Sequence, residues 1–224
     1  MQQYQKEFIE FLVQTQALRF GEFRLKSGRT SPYFFNSGEF NTGKSIERLG
    51  YYYACAIREL RETPTLVFGP AYKGIPLCVS SAIALRQQFD MDIPYTFDRK
   101  EIKDHGEGGW LVGQEPTDQD RVVLVDDVVT DGATKIETIS RLREALEANV
   151  TGLIIAVDRR ETNSEGGDPI ASLEASTGVE VRAIVNVHHI LEHLSDSHTN
   201  KQFALKKEDR QNMIAYLAKF GIDG

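Results

Sequence analysis

The run from Val122 to Thr134 combines a strongly apolar segment, two adjacent carboxylates and a short glycine-containing loop. Its first four residues are aliphatic, which is typical of a central parallel strand buried on both faces. Asp126 and Asp127 follow directly, at the carboxyl end of that strand, where open α/β sheets bind their ligands. The run therefore predicts a ligand site, and the simpler alternative is a buried strand followed by an ordinary acidic turn.

The loop from Thr130 to Thr134 is predicted to lie at a helix N-terminus, because aliphatic residues recur at helical spacing from Lys135 onward. Free backbone N–H groups and the helix dipole favour an anion there. Gly132 lets the main chain turn without a Cβ, and the two threonine hydroxyls can donate hydrogen bonds. The loop thus predicts a phosphate site. The preceding carboxylates repel phosphate, so we expect them to hold ribose hydroxyls or a hydrated cation.

The segment from Arg99 to Gly109 is nearly devoid of apolar residues and concentrates basic side chains in an acidic protein. These basic residues are Arg99, Lys100, Lys103 and His105. Two interpretations are open for a glycine-containing segment that cannot pack into a core. It is either a solvated charged loop, or a mobile lid that closes over a polyanion, excludes water and neutralises a leaving phosphate.

Two other motifs suggest different chemistry. The stretch from Gly38 to Ser45 matches the P-loop pattern and is followed by a predicted helix, so a nucleotide triphosphatase using Lys44 has to be considered. The preceding residues 32–38 are short, aromatic and interrupted by proline, which makes a poor central strand. His189 to His193 matches a metalloprotease signature, but no third ligand is evident, and histidines near a helix C-terminus are stabilised without metal.

Hydrophobic periodicity predicts the elements that position these motifs. Helices are predicted at 4–15, 45–61, 135–148, 187–194 and 208–220, and a further helix follows the strand 65–68 and ends at 89. Strands are predicted at 20–26, 33–36, 65–68, 94–97, 122–125, 152–157 and 179–184. Residues 161–169 are predicted to form a surface excursion. Because strands and helices alternate after residue 45, the sequence predicts a parallel sheet with right-handed crossovers.

The composition is that of a globular protein, and the length fits one large domain or a core with a small appended lobe. The chain has 224 residues, 41% of them hydrophobic and 26% charged, and a net charge of -7. That charge argues against non-specific binding to nucleic acid or to anionic membranes. The N-terminus carries no apolar segment of signal-peptide type, so we expect a cytoplasmic protein. Cys55 and Cys78 fit no zinc spacing and are expected to be core residues.

Four separated segments together resemble one family, the type I phosphoribosyltransferases. The loop after Asp126 and Asp127 resembles their phosphoribosyl-diphosphate signature, and three further stretches narrow the resemblance to the orotate phosphoribosyltransferases. These stretches are Leu25–Asn36, Phe68–Pro76 and Arg99–Gly109. The resemblance runs from about residue 4 to residue 159.

The resemblance implies an α/β fold: a type I phosphoribosyltransferase core, with a mainly parallel sheet flanked by helices, and a small N-terminal hood. We place the hood at about 1–40, the core at about 41–200 and a C-terminal helix at 208–220. The implied reaction is the Mg²⁺-dependent transfer of ribose 5-phosphate from phosphoribosyl diphosphate to orotate, giving orotidine 5′-phosphate and pyrophosphate in UMP synthesis. Mg²⁺ is expected to travel with the diphosphate, with contacts to Asp126 and Asp127 through water.

The resemblance also implies the binding residues. Those expected to bind phosphoribosyl diphosphate are Lys26, Tyr72, Lys73, Arg99, Lys100, Lys103, His105, Asp126, Asp127, Val128, Val129, Thr130, Asp131, Gly132, Ala133 and Thr134. Among them Arg99, Lys100, Lys103 and His105 are expected to be catalytic, because they would stabilise the leaving pyrophosphate. In the family the lid reaches the site of the neighbouring subunit, which implies a homodimer.

Orotate is planar and carries a carboxylate. The residues expected to bind it are Lys26, Phe34, Phe35, Thr130 and Arg159. The two phenylalanines would offer a flat apolar wall and main-chain hydrogen bonds, although core packing is the expected role for one of them. Arg159 follows a predicted strand and can bind a carboxylate through two hydrogen bonds. The adjacent Arg160 is the alternative for that role, and a surface ion pair is the simpler role for Arg159.

Asp131 departs from the family pattern, which usually has a small uncharged residue at this position of the phosphate loop. A carboxylate aimed inward would repel a phosphate by about 1 to 4 kcal/mol at contact range. We therefore expect its side chain to point outward and only its N–H to be used.

Two other functions remain open beside the triphosphatase. One is a phosphoribosyltransferase for another base, and the other is a regulatory protein that binds phosphoribosyl diphosphate without catalysis. Because the chain ends soon after the core, we expect no orotidylate decarboxylase domain and a separate enzyme for that step.

Overall fold

The computed structural model describes residues 1–25, 27–103, 109–196 and 202–222, with side chains at all of these positions except 102 and 103. The helices are α1 (Gln3–Gln14), α2 (Gly43–Ile57), α3 (Gly74–Phe89), α4 (Ala133–Leu146), α5 (Pro169–Thr177), α6 (Val187–Ser195) and α7 (Lys207–Phe220). The strands are β1 (Leu18–Arg24), β2 (Thr30–Phe35), β3 (Leu66–Gly69), β4 (Tyr95–Lys103), β5 (Gly109–Gly113), β6 (Arg121–Asp126), β7 (Asn149–Asp158) and β8 (Glu180–Asn186).

A six-stranded sheet forms the centre of the molecule, in the order β5-β4-β3-β6-β7-β8. The pairs from β4 to β8 are parallel, and only the edge strand β5 runs antiparallel to its neighbour. The carboxyl ends of β3, β6 and β7 therefore meet at one edge of the sheet, the edge at which such folds bind ligands. The predicted α/β class with a mainly parallel sheet is confirmed.

Strand β6 is buried on both faces, as its aliphatic run predicts. Val123 and Val125 pack into the cluster that contains α1, α2 and α3, whereas Val122 and Leu124 pack into the cluster that contains α4 and α5. This alternation follows from the two-residue period of a strand. Asp126, the last residue of β6, is thereby fixed in direction by the packing of the four residues that precede it.

The N-terminal segment forms a second, separate sheet. Strands β1 and β2 pair antiparallel as a hairpin, and Ser31, Tyr33 and Phe35 of β2 face the core while the residues between them are more exposed. Strand β2 is followed by a short 3₁₀ turn, Ser37–Glu39, before α2 begins. The P-loop motif at residues 38–45 therefore follows a hairpin rather than a central parallel strand, so it lacks the context of a P-loop.

Two parts of the sequence-based assignment are wrong. Strand β4 continues to Lys103 instead of ending near 97, so Arg99 and Lys100 lie in a strand and not in a loop. It extends because β5, which was not predicted, pairs with it at Thr96–Asp98 and again at Lys103. Helix α5 was not predicted either.

Among the helices in the part of the chain that the structure describes, none is long and apolar enough to cross a membrane.

Helices α2 and α3 approach each other closely at Gly50. A Cβ at this position would lie 2.4 Å from the carbonyl oxygen of Ser80, which belongs to the backbone, so the helices would have to separate to accommodate it. Gly50→Ala is therefore expected to lower the free energy of unfolding by about 1 to 3 kcal/mol. Gly43 lies in the same helix, and a Cβ there would point into open space, with nothing within 4 Å beyond the helix itself. Gly43 is therefore the matched control.

Gly43→Ala is expected to leave the free energy of unfolding unchanged or to raise it by up to about 1 kcal/mol, because alanine favours a helix over glycine. Urea denaturation of both variants measures the difference. Equal effects of the two substitutions would show that the close contact does not limit the size of the side chain at residue 50.

Candidate active site

The two carboxylates at the end of β6 are each paired with a lysine. Asp126 Oδ2 lies 2.5 Å from Lys135 Nζ, and Asp127 Oδ2 lies 2.6 Å from Lys73 Nζ. The Ser37 hydroxyl also donates to Asp127 Oδ2, at 2.9 Å. The site therefore joins the sheet edge to the hood turn, the loop after β3 and the first turn of α4.

The surroundings of the two carboxylates shift their pKa values in opposite directions. Burial raises the pKa of Asp126 above its ordinary value, and Lys135 only partly offsets that effect. Burial acts on Asp127 in the same direction, but the hydrogen bond and charge of Lys73, the Ser37 hydroxyl and Lys135 together hold its pKa below the ordinary value. Asp127 is thus the more firmly ionised of the two, and both charges are compensated within the protein.

The loop after these carboxylates leads directly into α4. Gly132 precedes the helix with φ of 82°, a left-handed conformation that favours glycine. Thr130 and Thr134 are exposed, and their hydroxyls donate to no partner within the described residues. Val129 is buried in the core and Val128 is partly buried, so these two residues can offer a ligand only their main chain. The loop therefore lies at a helix N-terminus, as predicted, and phosphate binding there stays a prediction.

The Asp131 carboxylate is exposed, and its Oδ1 accepts a hydrogen bond from the N–H of Ala133 at 3.1 Å, a contact that the sequence-based expectation did not include. Aspartate commonly makes such a bond to the backbone two residues ahead, because its short side chain fits the turn. One of the N–H groups that a phosphate would use is therefore occupied by the chain's own carboxylate.

Several of the predicted diphosphate residues line a cavity of about 360 Å³ beside the loop after β3. Its walls include Tyr72, Arg99 and Lys100, and Lys100 Nζ lies 5.9 Å from the centre of the Tyr72 ring. The exposed Tyr72 and the half-exposed Lys73 belong to the same loop. The side chain of Lys103, together with Lys26 and His105, lies outside the described residues.

Arg159 follows β7 at the same edge of the sheet and is almost buried. Its Nε and Nη2 contact Glu161 Oε1 at 3.0 and 2.7 Å, and Nη2 also donates to Ser31 Oγ at 3.1 Å. The guanidinium lies 4.4 Å from the centre of the Tyr33 ring. Arg160 is placed differently: its φ is 51°, and its Nη1 lies 3.8 Å from the carboxylate of Asp168.

The two phenylalanines predicted to form an orotate wall have different environments. Phe35 is buried in the main core, so core packing is the role of its side chain and only its main chain could contact a ligand. Phe34 is half-buried and stacks against Phe23 with the ring centres 5.5 Å apart. The wall would therefore consist of one ring and not of two.

The structure brings residues to the site that the sequence did not indicate. Ser37, Lys135, Glu161 and Tyr216 all contact a predicted site residue or its immediate partner. Lys135 could have been found, because its place on the first turn of α4 brings it near a carboxylate at the end of β6. No local pattern marks Ser37 or Tyr216, because they lie far along the chain from their partners.

The histidine motif forms no metal site among the described residues. His193 Nε2 lies 3.1 Å from Glu10 Oε1 of α1. His189 takes part in the N-terminal cap of α6, because its N–H donates to the side chain of Asn186. Cys78 is buried in the main core and the half-buried Cys55 packs against it, so the predicted core role is confirmed.

Comparisons with known proteins agree with this geometry. The family model of the phosphoribosyl transferase domain matches residues 40–174. The orotate phosphoribosyltransferase of Shewanella oneidensis is 49% identical over 196 residues, 88% of this chain and 90% of that protein. That of Pseudomonas putida is 46% identical over 222 residues, 99% of this chain and all of that protein. The crystal structure of the Francisella tularensis orotate phosphoribosyltransferase superposes with a TM-score of 0.83 at 35% identity, covering 96% and 99% of the two chains.

The fold and the site thus define a phosphoribosyltransferase, an enzyme of the pentosyltransferase class. Within that class, the chain belongs to the orotate phosphoribosyltransferase family, because the matches at 46 to 49% identity span nearly its whole length.

Asp131→Ala is expected to tighten the binding of ribose 5-phosphate by up to about fivefold, or to leave it unchanged. The substitution frees the Ala133 N–H and removes an exposed charge whose repulsion is worth up to about 1 kcal/mol. Isothermal titration calorimetry measures the affinity. Asp131→Asn is the matched control, because it keeps the hydrogen-bond acceptor and removes only the charge. A loss of affinity beyond roughly tenfold in the alanine variant would mean that the carboxylate supports the loop instead of competing with the ligand.

Proposed function

We propose that this enzyme transfers ribose 5-phosphate from phosphoribosyl diphosphate to orotate, giving orotidine 5′-phosphate and pyrophosphate in pyrimidine biosynthesis. The observation that carries the proposal is the arrangement at one edge of the sheet. A helix N-terminus with free hydroxyls, two compensated carboxylates and a buried guanidinium all lie at the ends of β6 and β7. These groups match a phosphate, a ribose and a carboxylate, which are the three parts that the two substrates present.

The phosphate loop accounts for the 5′-phosphate. Thr130 to Thr134 would offer backbone N–H groups and two hydroxyls at a positively polarised helix end. Asp126 and Asp127, immediately before the loop, would accept hydrogen bonds from the ribose hydroxyls. Their charges are already balanced by Lys135 and Lys73, so placing a polyanion beside them costs less than it would beside bare carboxylates.

The diphosphate would lie over the loop after β3, in the cavity lined by Tyr72, Arg99 and Lys100, with Lys73 beside it. Substitution at the anomeric carbon is expected to pass through a state with oxocarbenium character. Positive charge held against the leaving pyrophosphate stabilises that state more than it stabilises the bound substrate. We propose that Lys103 and His105 add to this charge, and that the segment that carries them serves the neighbouring subunit of a homodimer.

Magnesium fits this site as a companion of the diphosphate. Both Asp126 and Asp127 are already bonded to lysines, and no cluster of metal-binding side chains lies among the described residues. The protein would therefore contact the ion through water at these two aspartates. When bound, Mg²⁺ would supply positive charge against the diphosphate oxygens.

Orotate would lie against Arg159 and the main chain of Phe34 and Phe35, and we propose Lys26 and Thr130 as further contacts. The Nε–Nη2 edge of Arg159 is occupied by Glu161, so the orotate carboxylate would have to use Nη1, which has no partner within the described residues. A fixed guanidinium selects a pyrimidine with a carboxylate over uracil, because uracil would leave this buried cation without a second partner.

An absorbance assay tests this function. Orotate should be consumed only when phosphoribosyl diphosphate is present, and removal of Mg²⁺ with a chelator should abolish the reaction until excess Mg²⁺ is restored. Adenine and uracil offered in place of orotate are expected to react at least a hundredfold more slowly. Unchanged orotate absorbance with all components present would reject the proposal, and faster turnover of another base would assign the enzyme to that base.

A further inference from the structure

Glu161 lies at the centre of a buried polar cluster beside the site. Its Oε1 accepts hydrogen bonds from Tyr33 Oη at 2.8 Å and from two nitrogens of Arg159. Its Oε2 accepts from Tyr216 Oη at 2.9 Å and lies 3.7 Å from Arg29 Nη1. The side chain of Glu161 is only 10% exposed. A carboxylate held at both oxygens in this way has a fixed position.

Tyr216 brings the C-terminal helix into this cluster. It is a buried residue of α7, and its ring meets the ring of Tyr33 edge to face with the centres 6.2 Å apart. The main chain at the end of α7 is also bonded to the segment around Arg159. Thr162 N donates to Phe220 O, and Ile222 N donates to Arg160 O, both at 2.9 Å.

Arg159 is consequently fixed on one side and open on the other. Nε and Nη2 are held by Glu161 and Ser31, whereas Nη1 bonds to nothing within the described residues. The Tyr33 ring covers one face of the guanidinium. A guanidinium held along one edge presents its remaining donors in a fixed direction, which lowers the entropy lost when it binds a carboxylate.

We propose that Glu161 and Tyr216 are positioning residues for Arg159, and that through them the C-terminal helix α7 sets the affinity for orotate. This inference rests on the proposed function. Glu161 holds the guanidinium edge formed by Nε and Nη2, and the Tyr216 hydroxyl donates to Glu161 and lies beside Arg159, so both residues act on the position of the guanidinium. The affinity for phosphoribosyl diphosphate should be independent of both, because its groups lie at the ends of β3 and β6.

Tyr216→Phe tests the inference with the smallest change. It removes the hydroxyl that holds Glu161 Oε2 and keeps the ring that packs against Tyr33. The expected result is a KM for orotate that is about three- to tenfold higher, the effect of one lost hydrogen bond. The turnover number and the KM for phosphoribosyl diphosphate should stay within twofold of the wild-type values.

Tyr4→Phe is the matched control. The Tyr4 hydroxyl also lies beside a glutamate, Glu59, and that glutamate is paired with Arg182 at 3.1 Å. Arg182 lies near the start of β8, so this second cluster is at the opposite edge of the sheet from the site. The control should lose similar thermal stability and leave both KM values within twofold of wild type. If Tyr216→Phe behaves like the control, or changes both KM values equally, the positioning role is wrong.

Glu161→Gln separates positioning from charge. If Glu161 only neutralised Arg159, its loss would strengthen the attraction for the orotate carboxylate and lower the KM for orotate. Positioning predicts the opposite, a rise of roughly tenfold, because a charge-assisted bond is lost. A lowered KM overturns the inference. An inactive wild-type enzyme in the same assay would instead overturn the proposed function itself, so the two failures are distinguishable.

Discussion

The site depends on the burial of two carboxylates at the end of one strand and on the lysines that balance them. Packing of β6 on both faces fixes where Asp126 and Asp127 emerge, and burial would disfavour their charged forms without Lys135 and Lys73. The lysines come from the phosphate-loop helix and from the loop after β3. The ion pairs therefore join the end of β6 to the first turn of α4 and to the loop after β3, the three parts that we propose for the ribose, the phosphate and the diphosphate.

Much of the fold follows from the sequence because apolar periodicity records which face of an element is buried. Strand β6 and helix α7 were predicted to within about one or two residues for that reason. Strand β5 was missed because its five residues lie between glycines and its strand character comes from pairing with β4. Helix α5 has no apolar stripe, although Asp168 as its N-cap, Pro169 and Gly178 are ordinary helix-end signals.

The site was predictable where its parts are contiguous in sequence. The phosphate loop needs only a strand, a glycine and a helix start in succession, so its place could be deduced from residues 122–134 alone. The surroundings of Arg159 could not be deduced from the sequence. Ser31 and Tyr33 lie more than 120 positions away along the chain, and Tyr216 belongs to the last helix. The bond between the Asp131 carboxylate and the Ala133 N–H was not foreseen, because the expectation for Asp131 considered only the repulsion between its charge and a phosphate.

A double-mutant cycle on Asp126 and Lys135 tests whether the lysine balances the charge of the buried carboxylate. Both side chains are nearly buried, at 11% and 15% exposure. The free energies of unfolding of Asp126→Asn, Lys135→Met and the double variant would be measured by urea denaturation. Each single variant is expected to leave a buried charge unpaired. The double variant should therefore lose less free energy of unfolding than the sum of the two single losses, with a coupling of about 1 to 3 kcal/mol. Additive losses, within about 0.5 kcal/mol, would contradict it.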